Sequence, residues 1–356
     1  ATEQLSSFSP DCGRGLVNVL GENQSTCSLE EMNGTNLILM LGSFNQNQVL
    51  PARIRSAVGQ GAELVVISPE KTLVDDIAKI KVCPDNNTAF IREILAALIE
   101  QSLINEQFVH AKAQGYEELR SALKTTAAGT EAQAVALAYG QAKKAIIVVD
   151  GYTVSAAAVE LMADMMVMTG KVDTARNGII IINPGANANG IWRSGFNRDG
   201  VELTREIMAG EIKGAFILGE DPVGAGLLDA QSLSGMDFLM VASPFVTDTA
   251  ALADVVLPLS TPLENEGIYI TADGKTVRLQ PAKDAPAGRS NLDIWMDLGL
   301  RMDPLRGNDF RNVLRGAMSQ CCSDTSFDQA KLGIGTDGPI FVPVKITDPT
   351  LLKFRV

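Results

Sequence analysis

What most limits the fold of this chain is an alternation: short β-branched apolar runs, each followed by a stretch of helical periodicity. Leu37–Leu41 is such a run, stopped by Gly42-Ser43. Leu50, Ile54 and Ala57/Val58 then share a helix face before breaks at Gly59 and Gly61. Leu64–Ile67 repeats the pattern, closed by Ser68-Pro69, and a short strand Ile80–Cys83 follows. Phe90, Ile91, Ile94, Leu95 and Leu98 recur at the i, i+3, i+4, i+7 spacing of an amphipathic helix. Thr130 and Gln133 read as a capping box, and the buried strand Ala145–Val149 ends at Asp150-Gly151. Strands that alternate with helices in this way build a parallel sheet with crossover helices.

The helix from Ser155 to Thr169 carries Met162, Met165, Met166 and Met168, with Gly170 as its C′ residue. Plastic core packing accounts for such a stripe better than a cofactor groove does. After strand Gly178–Ile182, a Gly/Asn-rich stretch from Asn183 to Gly195 holds no apolar period. At roughly 150 residues per domain, 356 residues make two or three domains. The boundary is expected in that stretch: 1–190 as a first α/β nucleotide-binding-like domain, 191–335 as a second, incomplete one, and 336–356 as a linker. The second round reads as strand Ala215–Leu218, helix Leu227–Leu233, and strands Phe238–Val241 and Asp254–Leu257. Glu264–Gln280 reads as a hairpin about Asp273-Gly274, with a helix at Leu292–Met302 and a strand at Ile340–Val344 beyond it.

Charge and side-chain counts exclude several functions. With 30 basic and 42 acidic residues the net charge is −12, which disfavours nucleic acid as the main partner. No apolar run reaches the roughly 18 residues of a membrane span, so no direct membrane insertion is expected. Ala1-Thr2-Glu3-Gln4 has neither the basic start nor the apolar stretch of a signal peptide. The five cysteines include no C-x-x-C, which argues against a zinc ribbon, a self-contained iron–sulfur site or a disulfide framework. The vicinal pair Cys321-Cys322 reads as ordinary thiols, and reduced cysteines make the cytoplasm the expected location. The single histidine, His110, sits in what reads as a solvated helix, not a catalytic triad.

No Walker A motif and no complete G-x-G-x-x-G is present. Three strand-end loops are instead rich in small and amide side chains: Gly42-Ser43-Phe44-Asn45, Ser68-Pro69-Glu70-Lys71-Thr72 and Gly219-Glu220-Asp221-Pro222. Open α/β sheets bind ligands at the carboxyl ends of their strands, and helix N-termini there supply donors for phosphate. Each loop by itself is also compatible with a plain tight turn.

The residues further resemble the molybdopterin-dependent oxidoreductase superfamily, which includes formate dehydrogenases, nitrate reductases and the large iron–sulfur subunit of NADH:quinone oxidoreductase. Leu37–Ser43 with Leu50-Pro51-Ala52-Arg53-Ile54-Arg55 is similar to its first glycine-loop segment, and Phe216–Pro222 to its second. Asp237-Phe238-Leu239, Thr247-Asp248-Thr249-Ala250 and Ala253–Pro258 continue the likeness into Glu264-Asn265-Glu266-Gly267-Ile268-Tyr269. Asn187-Ala188-Asn189-Gly190 is similar to the family's amide-rich loop.

The resemblance implies an α/β fold of two Rossmann-like parallel-sheet domains gripping a bis-molybdopterin guanine dinucleotide with Mo or W. It implies a central fragment lacking the N-terminal Fe–S domain and the C-terminal β-barrel, inactive alone, with Fe–S clusters in the missing N-terminal region. Its partners would be other subunits of a redox complex and a small-molecule substrate. Gly42, Ser43, Asn45, Gly219 and Asp221 would line the nucleotide phosphates, Glu220 would belong to the cofactor-binding set, and Ser68 and Lys71 would meet guanine or ribose. Asp248 belongs to the same cofactor-binding set, and Asn187 and Asn189 would approach the pterin or substrate funnel. Cys12 is the thiol nearest the metal-ligand position, with an inert thiol as the alternative.

Departures from the family pattern cut the other way. Phe44-Asn45 stands where cofactor-binding members carry Asn-Pro, and Ser68-Pro69-Glu70-Lys71 where they carry Asp-Pro-Arg-Arg. The Asp273-Gly274-Lys275 turn looks more like the respiratory-complex subunit. The alternative implied is a metal-free scaffold subunit of an NADH:quinone oxidoreductase-type complex, with a vestigial pocket.

Overall fold

A computed structural model describes residues 11–21, 25–45, 47, 49–183, 185–193, 200–285, 289–302 and 352–353. The chain divides into two compact units. The first comprises Pro10–Pro184, Ala272–Lys275 and Phe327–Val356; the second comprises Ala1–Ser9, Gly185–Thr271 and Thr276–Ser326.

The first unit opens with α1 (Asp11–Leu20), β1 (Leu37–Leu41), α2 (Val49–Gly59), β2 (Glu63–Ile67) and β3 (Ile80–Val82). It continues with α3 (Asn87–Glu100), α4 (Glu106–Lys112), β4 (Ala113–Gln114), α5 (Tyr116–Leu123) and α6 (Thr130–Gln141). β5 (Ala145–Asp150), α7 (Ala156–Met168) and β6 (Gly178–Ile182) complete it. The sheet has the order β3-β2-β1-β5-β6, with every pair parallel. The order in which successive strands are added therefore reverses at the central strand, between β1 and β5.

Both faces of this sheet are covered, as parallel sheets require. Leu37, Leu39 and Leu41 of β1 pack with α1, α3, α6 and α7, whereas Ile38 and Met40 pack with Leu50, Ile54 and Ala57 of α2. Such alternation follows from the two-residue period of a strand. The methionines of α7 are all fully buried in the first of these cores. α1 lies close against α7 because Gly15 has no side chain: a Cβ there would sit 2.3 Å from the Ala156 carbonyl oxygen.

The hairpin turn Ala272–Lys275 also belongs to this unit. Ser25 Oγ donates to the Ala272 carbonyl, and Leu29 N–H donates to Asp273 Oδ2 at 3.3 Å. Lys275 pairs with Glu30 and with the buried Asp273.

The second unit begins with α8 (Ala188–Arg193), α9 (Gly200–Met208), β7 (Gly214–Leu218), α10 (Ala230–Ser234) and β8 (Phe238–Ser243). β9 (Val255–Pro258), β10 (Gly267–Ile270), β11 (Thr276–Leu279) and α11 (Asn291–Met302) follow. Strands β7-β8-β9 form a parallel sheet whose core joins Leu239 and Val241 to Ile207, Leu228 and Leu233. β10 and β11 pair antiparallel with Tyr269 opposite Val277, so the Asp273-Gly274 signal marks the turn it was read to mark.

Several expectations need correction. α6 starts at Thr130, but its N-cap is Gly129, and Gln133 Nε2 donates to the Ala128 carbonyl. Thr130 is already helical, one position too late to cap. The stretch from Asn183 to Gly195 contains α8, held by side-chain amides rather than by an apolar period. The helix expected over Leu227–Leu233 shrinks to α10, because Asp229 caps Ser232 N–H at 2.6 Å and starts the helix there. Cys321-Cys322 and the strand expected at Ile340–Val344 lie outside the described residues.

Candidate functional site

A cleft of about 160 Å³ opens at the carboxyl end of the first unit's sheet. Ser43, Phe44, Asn45 and Asn47 line it from the loop after β1, Asp150, Tyr152 and Thr153 from the end of β5, Glu70 from the loop after β2, and Ile182 from the end of β6. This is the point where strand order reverses, at which open α/β sheets bind ligands.

Backbone geometry at β1 shapes the cleft. Gly42 has φ +105°, and a Cβ there would come within 2.4 Å of the Asp150 Cβ. Phe44 also sits in the left-handed region, at φ 53°, with its ring buried. A non-glycine residue held there costs on the order of 1 kcal/mol or more, so its surroundings must hold it. The buried Asp150 does this: its Oδ2 accepts from Phe44 N–H at 3.1 Å and from Thr153 Oγ1 at 3.2 Å, and its Oδ1 accepts from Tyr152 N–H at 3.0 Å.

At the entry to α2, Asn47 Oδ1 accepts from both Val49 N–H (3.1 Å) and Leu50 N–H (3.0 Å), and the next residue, Pro51, has no N–H. On the other side Asn45 Nδ2 donates to Glu70 Oε2 at 3.1 Å. Two carboxylates, Asp150 and Glu70, thus border the cleft, and no Lys or Arg is among the described residues that line it.

Of the residues singled out in the sequence, Ser43 and Asn45 line this cleft and Gly42 supports it. Ser68 is fully buried and its Oγ accepts from Glu70 N–H at 3.2 Å, so it shapes the loop from behind. Lys71 is exposed and does not line the cleft.

The remaining candidates belong to the second unit. There Gly219 has φ +71° and donates to the Ala242 carbonyl at 2.8 Å. Asp221 Oδ1 accepts from Thr249 Oγ1 (2.6 Å), Thr249 N–H (3.0 Å) and Gly224 N–H (3.1 Å), tying the loop after β7 to the loop after β8. The Thr249 hydroxyl is the main cause holding its carboxyl below the usual range. Burial pushes the Glu220 carboxyl up, and Asp248 is exposed. Asn187 brackets β10, donating to the Ile268 carbonyl at 3.1 Å and accepting from Ile270 N–H at 2.9 Å. Asn189 donates to the Thr271 carbonyl at 2.7 Å. Both amides therefore hold the hairpin.

Asp150, Tyr152 and Thr153 were missed by sequence reasoning, although the strand end at Asp150-Gly151 was visible. The signal that finds them is the strand order, which places β5 beside β1.

No group of three or more His, Cys, Asp or Glu among the described residues is arranged to hold a metal ion. Cys12 lies in α1 with its side chain outside the described set. Burial, with Glu31 and Asp273 adding to it, pushes the Cys27 thiol well above its ordinary value, while Cys83 is exposed. His110 is exposed in α4. No helix among the described residues is long and apolar enough to cross a membrane.

Comparison with known proteins bears on what this architecture serves. An α-subunit of F420-dependent formate dehydrogenase from Methanocaldococcus jannaschii is 24% identical over 332 residues, covering 79% of this chain and 49% of that protein. Formate dehydrogenase H of Escherichia coli is 24% identical over 313 residues (73% and 44%). The assimilatory nitrate reductase catalytic subunit of Bacillus subtilis is 24% identical over 387 residues (92% and 53%). This chain thus spans about half the length of these relatives. Acetylene hydratase from Pelobacter acetylenicus shares the fold, with a TM-score of 0.67 at 17% identity, over 82% of this chain and 50% of that one. The family model for molybdopterin oxidoreductases matches residues 11–301, and the chain belongs to that family.

Proposed function

We propose that this chain is the cofactor-holding core of a molybdopterin-type oxidoreductase subunit, of formate dehydrogenase or NADH dehydrogenase type. The observation that carries the reading is the cleft at the β1/β5 reversal, lined by the loop the family likeness assigns to a nucleotide. The cofactor would be bis-molybdopterin guanine dinucleotide with Mo or W, which when bound supplies a metal centre for two-electron exchange with a small-molecule substrate. Fe–S clusters outside this chain, and other subunits of a redox complex, would carry the electrons onward.

In this reading Ser43 and Asn45 contact the nucleotide in the first unit, and Gly42 lets the loop turn beside Asp150. Ser68 positions Glu70, and the exposed Lys71 would meet guanine or ribose. Gly219, Glu220, Asp221 and Asp248 shape the second unit's strand-end loops for the other nucleotide. Asn187 and Asn189 act as positioning residues through the β10–β11 hairpin. Cys12 is assigned as the metal ligand. The unpaired Cys27 and Cys83 are consistent with a reducing, cytoplasmic location.

One observation favours a second reading, a metal-free scaffold subunit with a vestigial pocket: among the described residues the cleft is bordered by two carboxylates and by no cationic side chain. Pterin extraction together with Mo and W analysis on the full-length protein from its native host separates the two. Near-stoichiometric pterin and metal are expected; absence of both rejects the cofactor reading in favour of the scaffold.

A further inference from the structure

An asparagine side chain loses its amide most readily when glycine follows, because no side chain shields the next N–H and the backbone there can turn. The sequence holds three such pairs: Asn33-Gly34, Asn177-Gly178 and Asn189-Gly190. The fold treats them differently. Asn177 and Gly178 are buried, and the Asn177 amide accepts from Ala145 N–H at 2.7 Å and donates to Thr174 Oγ1 at 2.9 Å. Asn189 and Gly190 are buried in α8, with Asn189 Nδ2 donating to the Thr271 carbonyl at 2.7 Å. Asn33 and Gly34 are both exposed, just ahead of β1, and the Asn33 side chain is met by a long contact from Gln60 Nε2 at 3.4 Å.

Asn33 (φ −71°, ψ 116°) and Gly34 (φ +85°) are the central pair of a type II turn, closed by Thr35 N–H donating to the Met32 carbonyl at 3.4 Å. A type I turn differs from it by a half-turn of the peptide plane between that pair. The half-turn takes ψ of Asn33 negative and brings the Gly34 nitrogen round toward the Asn33 side chain. Glycine accepts either sign of φ, and among the described residues no hydrogen bond holds the Gly34 N–H or the Asn33 carbonyl that swing. A cation borders the same peptide: a Cβ at Gly34 would lie 3.2 Å from Arg176 Cζ and Nη1. Its charge favours the negative charge that develops on an attacking amide nitrogen and on the oxygen of the attacked carboxamide.

We propose that Asn33 is a site of spontaneous deamidation and isoaspartate formation, selected by the fold from the three Asn-Gly pairs and assisted by Arg176. The site is independent of whether the cleft holds a cofactor. The Gly34 nitrogen bonds to Asn33 Cγ, its proton leaves with the Nδ2 group as ammonia, and a succinimide ring remains. Water then opens the ring. Cleavage of the new N–Cγ bond leaves aspartate, and cleavage of the original peptide bond leaves isoaspartate, with the chain running through Cβ and Cγ. Either product adds a carboxylate beside Arg176.

Full-length protein held at mildly alkaline pH tests this, with peptide mapping by mass spectrometry and methyl labelling by an isoaspartate methyltransferase. The peptide holding Asn33 is expected to gain one mass unit and take up label at least tenfold faster than those holding Asn177 or Asn189, whose reaction waits on local unfolding. In urea the three are expected to react at rates within about threefold of one another, since only the fold separates them. Arg176→Gln keeps the main-chain bonds of position 176 to Glu31 and Thr35, and should slow the reaction at Asn33 about threefold. The comparison of folded with urea-treated protein needs no substitution, so it stays decisive if that variant does not fold. Three outcomes overturn the proposal: a folded-state rate at Asn33 no higher than at the two buried pairs, the same rate ratio in urea as in the folded protein, or an unchanged rate in folded Arg176→Gln.

Discussion

Gly42 shows how narrowly one position can be specified. Its φ of +105° is strained for any side chain, and the space a Cβ would fill is held by Asp150. Gly42→Ala is therefore expected to destabilise the first unit by about 2–4 kcal/mol, combining backbone strain with a displaced Asp150. Chemical denaturation of the two proteins under identical conditions checks the size; a change below about 0.5 kcal/mol would show that the loop relaxes freely. Asp164 presents a different case. It is fully buried on α7, neither carboxyl oxygen has a partner among the described residues, and burial, with Glu160 adding to it, pushes its carboxyl well above the usual range. The folded chain holds this proton where the unfolded chain has lost it, so stability falls as pH rises above the ordinary Asp range. Asp164→Leu should remove that slope and stabilise the protein at pH 7 by roughly 1–3 kcal/mol. Unfolding midpoints from pH 4 to 7 give the comparison, and an unchanged slope would mean that Asp164 is ionised in the folded state.

Among the elements, legibility tracked burial. β1, β2, β5 and β6 were readable because strands buried on both faces are written in consecutive Leu, Ile and Val, and α3 because one face carries Phe90, Ile91, Ile94 and Leu98. α8 was not readable: what holds it is a pair of Asn side chains reaching a strand about 80 residues further on, and no local period encodes that. The cleft was legible by halves. The loop after β1 announced itself through Gly42-Ser43, but Asp150 joins it only because β5 inserts beside β1. That adjacency is a matter of topology, and neither residue's neighbours in the chain reveal it.

Across the whole molecule, acidic residues outnumber basic ones, yet a lysine provides the clearest link between pH and stability. Lys171 is almost completely buried, with its ammonium 4.8 Å from the centre of the Tyr139 ring and 3.4 Å from the Gly140 carbonyl. Burial lowers its pKa to about 8. The unfolded chain keeps the proton to higher pH, so between about pH 8 and the ordinary lysine value unfolding takes up protons and stability rises with pH. Lys171→Met keeps the apolar stem and should flatten that rise, with a gain at pH 7 of up to about 3 kcal/mol less the lost cation–π contact. Thermal unfolding at pH 7 and pH 10 measures both effects, and equal pH slopes in the two proteins would discount the lysine.

The hairpin turn at Ala272–Lys275 has a consequence for biogenesis. Nearly ninety residues separate the end of the first unit's main stretch from the four of the hairpin turn that rejoin it. On a translating ribosome, Ser25 and Leu29 must wait for that late arrival before the Ala272 carbonyl and Asp273 can meet them. A polypeptide cut after Pro184 would keep its five-stranded sheet and lose its last stitch, leaving Glu30 without its lysine and the Leu29 amide without an acceptor.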